Sequence, residues 1–230
     1  MIGKIKWYIE EYIKFRLYKI KNMGYSHRTF WCGNVEYPYF ISFTNLAYTS
    51  ERTMEIPIIN TLIGTYQPKN ILEIGNVLNN YFKDLKIPHV VVDKYEKGKN
   101  VYNIDFVEYN GDKKFDMIVS ISTLEHIGWD SPEVRDEQKT LRAFSKMKSL
   151  LNPNGKLFIT IPLGHNAFLD NFLKTGQIKT DRMYLMKRIS KRNDWREQPL
   201  SLLQTTERFP NMYPYKYGNW VLIMIYENKP

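Results

Sequence analysis

The 230-residue sequence has a single cysteine, Cys32, so no disulfide can form within the chain, which fits a reducing, cytoplasmic setting. No uninterrupted apolar run reaches the roughly 18 residues that span a bilayer, and the N-terminus lacks an apolar core followed by a small-residue cleavage site. No membrane-spanning segment or secretory leader is expected. Acid is in deficit, with 24 Asp and Glu against 33 Lys and Arg, a net charge of +9. The excess lies in two places. Residues 1–23 carry six basic residues against two acidic ones, and residues 174–208 carry nine against four. Attraction to anionic lipid, phosphate or nucleic acid belongs to those segments. There is no spaced His/Cys cluster, because Glu125 and His126 are adjacent and therefore off a common helical face, so no metal site is expected. A glycine-flanked serine elbow is also missing, which argues against serine nucleophile chemistry.

Aromatics are plentiful at 15%, and 43% of the chain is hydrophobic, enough for one large α/β domain with a sizeable core. Residues 2–21 place Ile2, Ile5, Ile9, Ile13, Leu17 and Ile20 at steps of three or four, with charges between them, the pattern of an amphipathic helix. Such a helix either packs on the main domain or a second subunit, or lies at the periphery of an anionic membrane. Residues 24–50 are aromatic and irregular and suit a cover over a pocket. This divides the chain into an N-terminal helix and cover (1–50) and a main domain (51–230). Ser50 reads as the N-cap of a helix over 51–62 in which Pro57 implies a kink or a late start.

From residue 70 the alternation is regular. Short aliphatic runs at 71–74, 89–92, 101–104, 115–120 and 156–161 read as buried strands, with helices over 79–85 and 133–151 and a turn at 152–155. Two further strands fit at 184–189 and 220–226. Strand and helix in this order argue a doubly wound, mostly parallel α/β sheet of about seven strands. The unit from 71 to 93 runs strand, turn at Gly75-Asn76, helix, strand and acid at Asp93, the pattern in which a turn approaches a nucleotide and an acid takes its ribose hydroxyls.

Five stretches in order, ILEIGN at 71–76, VVVD at 90–93, NIDFVEY at 103–109, FDMIVSISTLEHIG at 115–128 and LLNPNGKLFITIP at 150–162, resemble the core of the class I S-adenosylmethionine-dependent methyltransferases, a Rossmann-like family. The resemblance covers 70–162. It implies S-adenosyl-L-methionine as cofactor, with Glu73 and Gly75 beside its methionine part, Asn76 offering amide hydrogen bonds in the turn, Asp93 on the ribose, Asp105 on the adenine amino group, Ile104 or Phe106 against the ring, and Ser120 to Thr123 bordering the methyl and the acceptor. The family's further turn glycines are replaced by Val77 and Asn79, a degenerate motif. His126 and His165, each beyond a strand end, are the candidates to take a proton from a hydroxyl or amine acceptor. The expected function is methyl transfer to a small molecule or glycan precursor. The alternatives are a non-catalytic binding or scaffold protein that kept the fold, and an RNA methyltransferase using the basic 174–208 segment with its nearby aromatics.

Overall fold

The structure, a computed structural model, describes residues 2–22, 27–82, 85–98, 100–130, 135–205, 209–210 and 212–229. Helix α1 (Ile2–Lys21) forms as its periodicity requires. Its aromatic side, however, is the one that meets the domain. The Tyr8 and Tyr12 rings stand edge-on to Phe43 at 5.1 and 5.5 Å, while Phe15 and Tyr18 lie against Tyr48. Ile5, Ile9, Ile13 and Ile20 are 52–60% exposed, and Leu17, 49% exposed, borders a pocket with Tyr48 and Lys191.

The aromatic cover is more regular than its composition suggested. Strands β1 (Thr29–Cys32) and β2 (Val35–Pro38) make a hairpin through Gly33-Asn34, with Gly33 at φ +61°. Helix α2 (Arg52–Tyr66) outruns the expected 51–62 and passes through Pro57. Proline at 57 cannot donate to the Thr53 carbonyl, and that carbonyl accepts the Phe40 N–H at 2.8 Å instead. The bond freed by proline thus ties the cover to the helix. Ser50 does not cap α2 with its side chain, contrary to expectation; its main chain turns into the helix through Glu51.

The sheet contains β3 (Ile71–Ile74), β4 (His89–Val92), β5 (Val101–Tyr102), β6 (Phe115–Ile121), β7 (Leu151–Pro162), β8 (Arg182–Arg188), β9 (Trp195–Gln198) and β10 (Trp220–Glu227). Its eight strands lie in the order β5-β4-β3-β6-β7-β10-β8-β9, parallel from β5 to β7, with β10 antiparallel to both neighbours. This is the Rossmann-like doubly wound arrangement. Side chains alternate across it. Leu72, Ile74 and Ile118 enter one core with helices α4 (Lys139–Ser149) and α5 (Ala167–Lys174), while Ile71, Met117 and Val119 enter the other with α2 and the hairpin.

Further elements differ from the sequence reading, among them β5, which stops at Tyr102, short of the expected 104. The expected 79–85 helix is the short α3 (Leu78–Tyr81), with 83 and 84 outside the described residues. Helix α4 begins at Lys139, since 135–138 are not helical; 131–134 lie outside the described residues. The turn signal at 152–155 proves to be an irregularity inside β7, where pairing with β6 shifts and Asn154 takes φ +63°.

Candidate active site

The strand order reverses between β3 and β6, and a cavity of about 570 Å³ opens above their carboxyl ends, where such sheets bind ligands. Gly75, Asn76, Asp93, Asp105, Phe106 and His126 line it. Glu73, Ile104, Ser120 and His165, the remaining site residues expected from sequence, stand behind or beside its wall.

The floor is set by Gly75 at φ +87°, where a Cβ would come within 2.4 Å of Thr123 Oγ1. Only glycine fits. Val77 and Asn79, which replace the usual glycines, need no such freedom: Val77 is right-handed (φ −92°, ψ −47°) and Asn79 lies in α3. Asparagine side chains brace the loop, Asn76 Nδ2 donating to Glu96 at 2.8 Å and Asn79 Nδ2 to Asn76 Oδ1 at 2.7 Å. Glu73 is wholly buried, and its Oε1 accepts the N–H groups of Val77 and Leu78 at 2.7 and 2.8 Å, holding the turn from beneath. Its Oε2 lies 3.0 Å from His89 Nε2, outside hydrogen-bond alignment. Burial outweighs these partners and raises the Glu73 pKa.

Asp93 accepts the Tyr95 and Glu96 N–H groups on Oδ1 alone, leaving Oδ2 without a protein hydrogen bond among the described residues, as a ribose contact requires. Asp105 caps the 3₁₀ turn at Phe106–Glu108. Burial pushes its carboxyl up, but the Lys139 ammonium at 2.6 Å and the Val107 N–H outweigh it, so its pKa lies below the ordinary range. Lys139 was not foreseen; from sequence it is one of many lysines. Phe106 lines the cavity, whereas Ile104 sits on the outer surface, 36% exposed, and Ser120 is buried inside β6. The open floor at Gly75, the free Asp93 oxygen and the Phe106 wall fit an adenosyl group.

Beyond Thr123 the cavity continues to Ser50, Glu51, Arg52, His126, Asp130 and Tyr217. The start of α2 therefore joins the site, which its sequence gave no cue to. Underneath, Glu55 accepts Ser122 Oγ at 2.7 Å and Thr160 Oγ1 at 2.5 Å and pairs with Arg52. Ser122 is held at φ +42°, an uncommon conformation for serine. Burial raises the Glu51 carboxyl, with Glu55 adding to it, and burial raises Glu125 well above the ordinary range. His126 and His165, 39 positions apart, meet with ring centroids 4.6 Å apart. Both reach one oxygen of Asp130: His126 Nδ1 at 2.9 Å and His165 Nε2 at 3.4 Å. Burial, then the neighbouring His126, lowers the His165 pKa. Spacing alone had shown no such cluster.

Residues 57–205 match a family model described as methyltransferase domain. No curated protein sequence matches the chain. Among solved structures, the N-methyltransferase NodS from Bradyrhizobium japonicum WM9, in complex with S-adenosyl-L-homocysteine, aligns over 78% of this chain and 88% of its own at 13% identity, with a TM-score of 0.51. The PH0226 protein from Pyrococcus horikoshii OT3 covers 79% of this chain and 95% of its own at 18% identity, with a TM-score of 0.43. At 13% identity the likeness to NodS is one of fold. With more than half its length matched by the family model and a cavity at the switch point of its sheet, the chain belongs to the class I S-adenosylmethionine-dependent methyltransferases.

Proposed function

We propose that this enzyme methylates a small molecule or glycan precursor, bound where the cofactor cavity widens beyond Thr123. One observation carries the reading: a single cavity joins the Gly75, Asp93 and Phe106 end to a charged end at Glu51, Arg52 and His126. Its volume of about 570 Å³ suits the cofactor with a small acceptor. Bound there, S-adenosyl-L-methionine supplies an electrophilic methyl group on a sulfonium. The protein has to align the acceptor, exclude water and take a proton. Glu51, Arg52 and Tyr217 wall the acceptor end. The proton leaves at the His126, Asp130 and His165 cluster, within reach of the same space.

The other readings fare less well. A scaffold that had lost its cofactor would fill the space above Gly75, and that space is open. An RNA acceptor needs cations at the mouth, yet the wall holds Glu51, Asp93, Glu96, Asp105 and Asp130 against Arg52 and Lys94. Within the basic segment, Arg188 is buried, donating to the Thr49 and Lys216 carbonyls, and Arg182 donates to Tyr66. The test is transfer of labelled methyl from the cofactor to panels of small hydroxyl and amine acceptors, sugars included, and to RNA. Turnover restricted to small acceptors supports the reading, and turnover on RNA alone overturns it.

The outward stripe of α1 supports peripheral attachment to an anionic membrane. Ile5, Ile9, Ile13, Leu17 and Ile20 are each about half exposed or more, and Lys6 and Arg16 border the stripe, so apolar insertion and charge attraction act together. Among the described residues no helix is long and apolar enough to cross a membrane.

A further inference from the structure

His126 lies in the 3₁₀ turn after β6, Asp130 four residues later, and His165 in the loop after β7. Ligand atoms from all three lie within 4.8 Å of one another. Around a small divalent ion held at about 2.1 Å by each donor, adjacent donors stand roughly 3.0 to 3.4 Å apart, depending on whether the angle is octahedral or tetrahedral. Of the two separations here, 3.4 Å from His165 Nε2 to Asp130 Oδ1 falls in that range, and 2.9 Å from His126 Nδ1 to the same oxygen lies just below it. As a hydrogen bond the second is long, beyond the ordinary N–H···O distance of about 2.9 to 3.0 Å.

The surroundings also suit an ion. The other ring nitrogen of His126, Nε2, lies 3.7 Å from Oε1 of the buried Glu125, beyond hydrogen-bond distance, so it is not committed to a protein acceptor there. His126 and Asp130 line the cavity, while His165 is half-buried beside it, so an ion held by the three would turn its open positions toward the acceptor end. Two imidazoles and one carboxylate favour first-row transition ions over magnesium, which prefers oxygen donors.

We propose that His126, Asp130 and His165 form a three-ligand site for a divalent first-row transition cation, whose open position binds the acceptor oxygen. This rests on the reading that the acceptor occupies this end of the cavity. With the ion bound, the three side chains hold it instead of taking the proton themselves, and a hydroxyl on the ion gives up its proton to water more readily. Its oxygen then forms a bond to the methyl carbon as the methyl–sulfur bond breaks. Both electrons of that bond stay on sulfur, and the cofactor leaves as the neutral thioether.

The test is to strip the full chain with a chelator and titrate it with Zn²⁺ by calorimetry and with Co²⁺ by visible absorption. One equivalent should bind, with ligand-field bands for Co²⁺ and no displacement by millimolar Mg²⁺. His165→Ala and Asp130→Asn, both at partly exposed positions, should weaken binding by about 100-fold or more, exceeding the loss of an outer partner. Much less than one equivalent, or unchanged binding in both variants with native circular dichroism, overturns the site. Binding of S-adenosylhomocysteine is measured on the stripped protein in parallel. If it persists while metal binding fails, only the metal site falls; if it too is absent, the reading of the cavity falls.

Discussion

Replacing Glu73 asks how the cofactor turn is held. The side chain is buried at the end of β3, and one oxygen takes both the Val77 and Leu78 N–H groups. Glu73→Ala strands the buried Leu78 donor, at about 1 to 3 kcal/mol, and the part-buried Val77 donor, at less, so the fold should lose roughly 1 to 4 kcal/mol. Glu73→Gln keeps a carbonyl for the same donors and should cost less than about 2 kcal/mol. The pH dependence separates the two effects. Burial raises the folded pKa of Glu73 above its unfolded value, so the fold binds the proton more tightly. The wild type should therefore lose stability as pH rises from the ordinary carboxylate range through the raised value and level off above it, and Glu73→Gln should lack that part of the slope. Urea unfolding from pH 4 to 8 reads both quantities. An alanine variant within about 0.5 kcal/mol of wild type, or a glutamine variant as unstable as alanine, would refute the role given to this carboxylate.

Other expectations follow from neighbouring features. Gly75→Ala places a methyl group 2.4 Å from Thr123 Oγ1 at φ +87°; about 1 to 2 kcal/mol of backbone cost plus displacement of Thr123 should cut S-adenosylhomocysteine affinity at least tenfold by calorimetry, and native affinity would contradict the geometry. Glu125 is buried with a raised pKa, so its ionisation opposes folding above the ordinary carboxylate range; Glu125→Gln should gain on the order of 1 kcal/mol over wild type at pH 8, shrinking toward pH 5, by thermal unfolding. The double variant Ile9→Asp, Ile13→Asp removes two exposed stripe residues worth about 1.5 to 3 kcal/mol each on insertion; flotation with phosphatidylglycerol vesicles should fall by 100-fold or more, and equal flotation would discard membrane attachment.

Much of the parallel core was legible because a buried strand is a short aliphatic run and its ligand-facing end is a break in that run. Ile71 to Ile74 and Phe115 to Ile121 fall where the pattern puts them. Strand β9, with Arg196 and Glu197 in its four residues, carries no such pattern, and the β1–β2 hairpin was hidden among aromatics. The turn shows where motif reading stops. Val77 and Asn79 looked like losses, yet the chain there needs ordinary helical angles, and only Gly75 needs the left-handed region. Glu73 is similar: sequence marks a carboxylate at a strand end, and only the packing shows its oxygen turned toward backbone N–H groups. Arg52, Lys139 and the meeting of His126, Asp130 and His165 depend on long-range packing, which periodicity does not carry.

Calorimetric titration of the full chain with S-adenosyl-L-methionine and S-adenosylhomocysteine, with Asp93→Ala beside it, tests the central claim most directly. The account predicts one equivalent of either ligand bound by the wild type, and an affinity at least tenfold weaker once the free oxygen of Asp93 is removed. No heat from either ligand at high micromolar concentration, or undiminished binding in Asp93→Ala, would contradict the claim that the Gly75 turn and Asp93 cradle the cofactor.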